Sequence, residues 1–170
     1  MWSSDARRLL PAILAAGFLV ACGFQLRGQA RLPFETLYIP GVNALAVELK
    51  RNVRAASRTR LVDAASDAQA VFGFTGEGRE KMILSYNAQG RVQEYLLRYR
   101  VSFRVTDSTG ARVYLPTSEI LLSREMSYSD ALVLAKESEE ALLYRDMQAD
   151  MVQQILRRLA AARSEPVGIE

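Results

Sequence analysis

The feature that most constrains the fold is the regular alternation of side chains from Val92 to Thr106. One side of this stretch carries apolar and aromatic residues: Tyr95, Leu97, Tyr99, Val101, Phe103 and Val105. The other side carries polar residues: Arg98, Arg100, Ser102 and Arg104. A period of two is typical of a strand in a sheet with one buried face and one polar face. The chain must therefore build a long sheet and cover one face of it.

Two more long strands are predicted on either side of this stretch. One runs from Val71 to Tyr86 and is followed by the turn residues Asn87-Ala88-Gln89-Gly90. The other runs from about Arg112 to Tyr128, after the turn Asp107-Ser108-Thr109-Gly110. Turns of this composition reverse the chain, so the three strands form an antiparallel meander. A shorter strand, Thr36 to Pro40, comes first in the chain.

Helical spacing appears twice. After a candidate N-cap at Asn43, apolar residues recur at Leu45, Leu49 and Val53, which predicts a helix to about Ser57. A longer helix is predicted from within 130–137 to Ala162. Its apolar stripe consists of Leu143, Met147, Met151, Ile155 and Leu159, widened by Val152 and Leu156. Two amphipathic helices and a half-buried sheet predict an α+β fold.

The predicted fold class is a two-layer α+β sandwich with a four-stranded mixed sheet, in the order β-α-β-β-β-α. Both helices pack on the apolar face of the sheet. The opposite face, which carries Arg98, Arg100 and Arg104, is left open to water or to a partner. The strand order within the sheet is not fixed by the pattern.

The first residues predict export and lipid attachment. Arg7 and Arg8 precede an apolar run that is too short to span a bilayer comfortably, and small residues follow it. The run ends in Leu19-Val20-Ala21-Cys22, which resembles the lipobox of bacterial lipoproteins. That resemblance implies cleavage before Cys22 and acylation of its thiol and amino group. A plain signal peptide with a chance cysteine, or a short membrane anchor, is the alternative.

These segments divide the chain into four parts. Residues 1–21 are a lipoprotein signal peptide, 22–33 a lipidated tether, 34–163 a single α+β domain and 164–170 a flexible tail. Gly23 stands where lipoproteins retained at the inner membrane usually carry aspartate. By the lipoprotein resemblance, this points to the outer membrane, with the domain on its periplasmic side.

The composition argues against several classes of function. The chain has no histidine and a single cysteine, so the usual general base and the common metal-binding spacings are missing. No nucleophile-elbow or phosphate-loop motif occurs. We therefore expect no enzyme activity, no cofactor and no metal site. The formal net charge of +3, or +2 once the signal peptide is removed, is too small to indicate nucleic-acid binding.

Three segments carry a resemblance to one known family. The mature start, Cys22-Gly23-Phe24-Gln25-Leu26-Arg27-Gly28, looks like that of the LPS-assembly lipoprotein LptE family. The segment from Gly90 to Tyr95 is similar to the family's turn and strand, and the segment from Leu134 to Glu140 to the start of its last helix. The order of elements matches over nearly the whole mature chain.

The resemblance implies a non-enzymatic role. Members of this family plug the LptD β-barrel, assist its assembly and take part in moving lipopolysaccharide into the outer leaflet. The expected partners are thus an LptD-type barrel, lipopolysaccharide and, through the N-terminal lipid, the membrane. The alternative is another envelope lipoprotein, which acts as an adaptor or as an auxiliary subunit of a lipid transport system.

The resemblance also suggests which residues contact lipopolysaccharide. Lys136 matches a lysine at the head of the family's last helix. The family's basic turn residue falls nearest to Ala88, so Arg91, three residues later, is the candidate substitute. Lys81 is a further candidate. For Lys136, an ion pair with Glu140 on the same helix is the structural alternative. Three strand residues are candidates to face the barrel wall, with a solvated strand face as the default interpretation: Arg98, Arg100 and Arg104.

Overall fold

The structure, a computed structural model, describes residues 31–168. In chain order the elements are β1 (Thr36–Tyr38), α1 (Ala44–Ala56), β2 (Arg60–Leu61), β3 (Ala70–Tyr86), β4 (Val92–Thr106), β5 (Arg112–Ser127), α2 (Val133–Ala160) and β6 (Val167–Gly168). Single 3₁₀ turns at Ala65–Asp67 and Asp130–Leu132 precede β3 and α2. The predicted signal peptide and Cys22 lie outside the described residues.

The sheet has six strands, in the order β2-β1-β3-β4-β5-β6. The prediction of four strands was therefore wrong. The two additional strands are only two residues long: β2 pairs in parallel with β1, and β6 pairs antiparallel with the start of β5. Two residues are too few to show an alternating pattern in the sequence. Strands this short form only where the edge of a neighbouring strand is available for pairing. β6 lies in the segment for which the sequence predicted a flexible tail.

The long meander of β3, β4 and β5 follows the sequence pattern closely. β4 has the predicted limits, and β3 and β5 differ from the predicted ones by a single residue each. Gly90 and Gly110 end the two connecting turns with positive φ angles of 74° and 76°, which glycine adopts without steric strain. The mixed sheet with antiparallel long strands was thus read correctly from local chemistry.

Both helices pack on one face of this sheet. Asn43 caps α1 as predicted, because its side-chain oxygen accepts from the Ala46 amide at 3.0 Å. The side-chain Nδ2 of Asn43 also donates to Glu77 Oε2 of β3 at 2.7 Å. This bond ties the start of α1 to the middle of β3.

One hydrophobic core joins the two layers. The β4 residues Leu97, Tyr99, Val101, Phe103 and Val105 are fully buried, and so is the predicted α2 stripe from Met147 to Leu159. Phe72 of β3 stacks on Phe103 with ring centroids 5.2 Å apart. These contacts confirm the predicted inner faces of β4 and α2, although Tyr95 and Leu143 at the ends of these faces are only partly buried against the core.

The long strands of the sheet define two ends of the molecule. The first described residues lie beside the β4–β5 turn, where Phe34 packs edge-on against Tyr114 and the Arg163 amide donates to the Tyr114 carbonyl. At the opposite end, which we call the hairpin end, the β3–β4 turn (87–91) lies beside the β5–α2 connection (128–132). At about 3.4 Å per residue along β5, roughly 40 Å separate Tyr114 from the hairpin end. No helix within residues 31–168 has the length and apolar character needed to cross a membrane.

Candidate functional site

Lys136 lies in the first turn of α2, directly over the last residue of β5. Its Nζ donates to Ser127 Oγ at 2.9 Å and to Glu139 Oε2 at 2.7 Å. The side chain is only 14% exposed, so it is held in place rather than extended into solvent. The short 3₁₀ turn before α2 brings this lysine back over the sheet at the hairpin end.

Lys81 projects from β3 on the helix-covered side of the same end. Its Nζ lies 2.6 Å from Glu140 Oε2 and 4.3 Å from the centre of the Tyr95 ring. The hydrogen bond to Glu140 raises the pKa of Lys81 above 10.5, with burial acting in the opposite direction. Lys81 is therefore fully charged at neutral pH and partly shielded by an aromatic face.

The two lysines belong to one continuous cluster of side chains. The Tyr95 ring beneath Lys81 packs edge-on against Tyr128, with centroids 5.1 Å apart. Tyr128 follows Ser127, which accepts the hydrogen bond from Lys136. The Glu139 and Glu140 side chains that hold the two lysines are neighbours on α2. We call Lys81, Lys136, Glu139 and Glu140 the lysine cluster.

Arg91 lies in the turn at the same end but outside this cluster. Its amide donates to Asn87 Oδ1 at 2.9 Å, and its carbonyl accepts from the Asn87 amide at 2.8 Å. The guanidinium makes no hydrogen bond or ion pair with any other residue in 31–168. Its backbone is thus fixed by the turn, while its charge is exposed at the tip of the hairpin.

Several exposed apolar residues lie close in the chain to the lysines of the cluster. Leu132 and Leu134 precede Lys136 by four and two residues and are 55% and 80% exposed, and Ile83, two residues after Lys81 on the same face of β3, is also exposed. Solitary exposed apolar residues are common, but here several adjoin a cationic cluster. Such a surface suits an amphiphile that has acidic groups next to hydrocarbon.

Arg98, Arg100 and Arg104 lie elsewhere, on the helix-free face of the sheet. Their register partners on β3 are Glu80, Gly78 and Gly73. Arg100 and Arg104 are exposed and Arg98 is half-exposed, and none of the three forms an ion pair within the described part of the chain. The structure places them as a stripe on the open face, and their role toward a partner stays a prediction.

Sequence reasoning missed the partners of the lysines. The structural alternative for Lys136 was an ion pair with Glu140, but Lys136 pairs with Glu139 and Glu140 turns instead to Lys81. Helix spacing alone offers both Glu139 and Glu140 to Lys136, since side chains three and four apart share a face. The choice depends on Lys81, which is 59 residues away in the chain.

Two other kinds of site, a metal site and an enzyme cleft, can be examined among the described residues. Between Arg31 and Gly168, no three histidine, cysteine or acidic side chains come together as a metal site would require. A cleft of about 220 Å³ opens where β1 and β2 end, and its lining includes Lys50, Arg54 and Asp63. It lies far from the hairpin end, and no nucleophile paired with a base faces it.

Comparison with known proteins decides the family. The family described as "LptE: Lipopolysaccharide-assembly" matches residues 34–159, which is most of the chain and nearly all of the folded domain. The chain belongs to the LptE family. This family consists of non-enzymatic lipoproteins that act in lipopolysaccharide assembly, so the resemblance seen in the sequence is confirmed. Among curated proteins, none matches the chain.

Solved structures agree with the assignment to the LptE family. Lipoprotein B from Nitrosomonas europaea is 41% identical, with a TM-score of 0.71, and the match covers 82% of this chain and 91% of that one. Rare lipoprotein B from Shewanella oneidensis is 26% identical, with a TM-score of 0.60 and coverage of 74% and 94%. A minor lipoprotein from Acinetobacter baumannii, 23% identical with a TM-score of 0.62 and coverage of 81% and 97%, shares the fold.

Proposed function

We propose that this LptE-family protein is an outer-membrane lipoprotein that plugs an LptD-type β-barrel. Acylated Cys22 holds it on the periplasmic side, and the folded domain assists assembly of the barrel and insertion of lipopolysaccharide into the outer leaflet. The observation that carries the proposal is the lysine cluster, with exposed Arg91 and apolar residues beside it at one end of the molecule. The protein performs this role without catalysing a reaction.

The chemistry of lipopolysaccharide fits the hairpin end. Its phosphates and acidic sugars lie at the root of its acyl chains, so a binding surface needs cations close to apolar side chains. Lys81 and Lys136 supply point charges, and Arg91 supplies a planar fork that can hold a phosphate through two hydrogen bonds. Leu132 and Leu134 provide the adjoining apolar surface.

The helix-free face of the sheet supports the proposal of a barrel partner. The interior of a large outer-membrane barrel is polar, and a plug must present polar side chains to it. Arg98, Arg100 and Arg104 lie on that face without ion pairs to other described residues. Their charges are thus available to acidic groups on a barrel wall.

Charge reversal tests the lipopolysaccharide contact. We expect the double variant Lys136→Asp, Arg91→Asp to bind purified lipopolysaccharide at least roughly tenfold more weakly. Two hydrogen bonds from charged donors to the phosphates are lost, and two negative charges that repel the phosphates are added. Affinity can be measured with fluorescently labelled lipopolysaccharide and the mature protein in detergent. A thermal melt monitored by circular dichroism checks that the domain remains folded.

The matched control is Arg58→Asp with Arg112→Asp. Both arginines are exposed and lie away from the hairpin end, and the control changes the net charge by the same amount. Its affinity should stay within about twofold of wild type. Equal weakening of both double variants would show that only net charge matters, and an unchanged affinity of the first would remove Lys136 and Arg91 from the site.

A further inference from the structure

Neither lysine of the cluster presents a free ammonium group. Lys136 is paired with Glu139 at 2.7 Å, and Lys81 is paired with Glu140 at 2.6 Å. The two acids are consecutive in α2, yet each points to a different lysine. Three of these four side chains are partly withdrawn from solvent, since Lys136, Glu140 and Lys81 are 14%, 24% and 34% exposed, whereas Glu139 is 42% exposed.

A phosphate that approaches this cluster meets occupied cations. To bind, it must replace a carboxylate oxygen at each lysine, so the contact is an exchange of one anion for another rather than a simple gain. The displaced carboxylates stay nearby on α2, within reach of the lysines that they have left. Arg91 differs, because its guanidinium has no such competitor among the described residues.

Each lysine has a further contact that does not involve the carboxylates. Lys136 keeps Ser127 Oγ as a second acceptor, and Lys81 keeps the Tyr95 ring at 4.3 Å. Removal of the carboxylates therefore frees the cations without removing everything that positions them.

We infer that Glu139 and Glu140 compete with bound phosphate for Lys136 and Lys81 and so keep the affinity of the site for a phosphorylated amphiphile low. The inference rests on the proposed function, which makes lipopolysaccharide the ligand of this end. Such competition suits a protein that transfers its ligand to another site, because the carboxylates speed dissociation when they pair with the lysines again. If the acids instead hold the lysines in a binding geometry, removal of the two glutamate charges should weaken binding.

The test is the double variant Glu139→Gln, Glu140→Gln in the full mature protein. Glutamine keeps the shape of glutamate and its acceptor oxygen but removes the charge. Since ion pairs near the surface contribute only modestly, we expect the dissociation constant for purified lipopolysaccharide to fall about threefold to tenfold. Dissociation should be slower by a similar factor.

Two controls separate this effect from a general change in charge. Glu137→Gln with Asp146→Asn removes two exposed acids from the same helix, neither of which forms an ion pair within the described chain, and should change affinity less than twofold. In a Lys81→Met, Lys136→Met background, the glutamine pair should bring no gain, because no lysine is left to release.

Several results would overturn the inference. They are an unchanged or weaker affinity of the Glu139→Gln, Glu140→Gln variant, a gain of the same size in the Glu137 and Asp146 control, or a gain that persists without the lysines. Failure of the wild-type protein to bind lipopolysaccharide is a distinct outcome, since it would contradict the proposed function itself and the inference with it.

Discussion

An aspartate in place of Met151 is expected to unfold the domain. Met151 is fully buried in the middle of α2, within the core formed with β4. The substitution removes the packing of a large side chain, which costs about 2–5 kcal/mol, and buries a charge with no partner, which costs several kcal/mol more. Together these losses reach the total stability of a typical domain, about 5–15 kcal/mol.

Urea denaturation and a thermal melt monitored by circular dichroism measure this effect. The control is Ala149→Asp, which introduces the same charge two residues earlier on the exposed side of the helix. It should change stability by about 0.5 kcal/mol or less, in line with other surface substitutions. A wild-type melting curve for the Met151 variant would contradict the assigned buried face of α2.

Serine in place of Cys22 is expected to abolish lipid attachment. By the lipobox resemblance, acylation requires the thiol, and a hydroxyl group cannot form the same thioether. The variant should accumulate as an unacylated, poorly processed precursor. Since each buried methylene contributes about 0.8 kcal/mol, loss of several acyl chains removes the stable anchor. Incorporation of radiolabelled palmitate and mobility on a denaturing gel report the two steps.

The matched control for this experiment is Gln25→Ser, which places the same residue three positions later, outside the Leu19-Val20-Ala21-Cys22 motif. Its labelling and processing should equal those of wild type. Normal labelling and processing of the Cys22→Ser variant would refute the anchor, whatever the fate of the folded domain.

The parts of the fold that the sequence predicted are those encoded by local periodicity. The alternation in β4 identified its buried face residue by residue, because every second side chain of a strand faces the same side. The stripe from Met147 to Leu159 identified the buried face of α2 in the same way. Asn43 was recognisable as a cap since its side chain bonds to the helix that immediately follows it.

The missed parts depend on contacts between distant segments. β2 and β6 have no pattern of their own and form only because β1 and β5 offer them an edge. At the candidate site, Lys136 and Arg91 were predicted from the family resemblance. The pairing of Lys81 with Glu140 was not foreseen, because it depends on how α2 crosses β3 at the hairpin end. Spacing along the chain carries no signal for such a contact.

The central claim is that this LptE-family protein works within an LptD-type barrel. Its most direct test is affinity capture of the full-length, lipidated protein from detergent-extracted envelopes of its native host, followed by identification and quantification of the bound proteins by mass spectrometry. We predict that an LptD-type barrel is recovered in stable, stoichiometric amount and that it survives a salt wash. Recovery of periplasmic or inner-membrane proteins without such a barrel would contradict the claim and favour the role of an envelope adaptor.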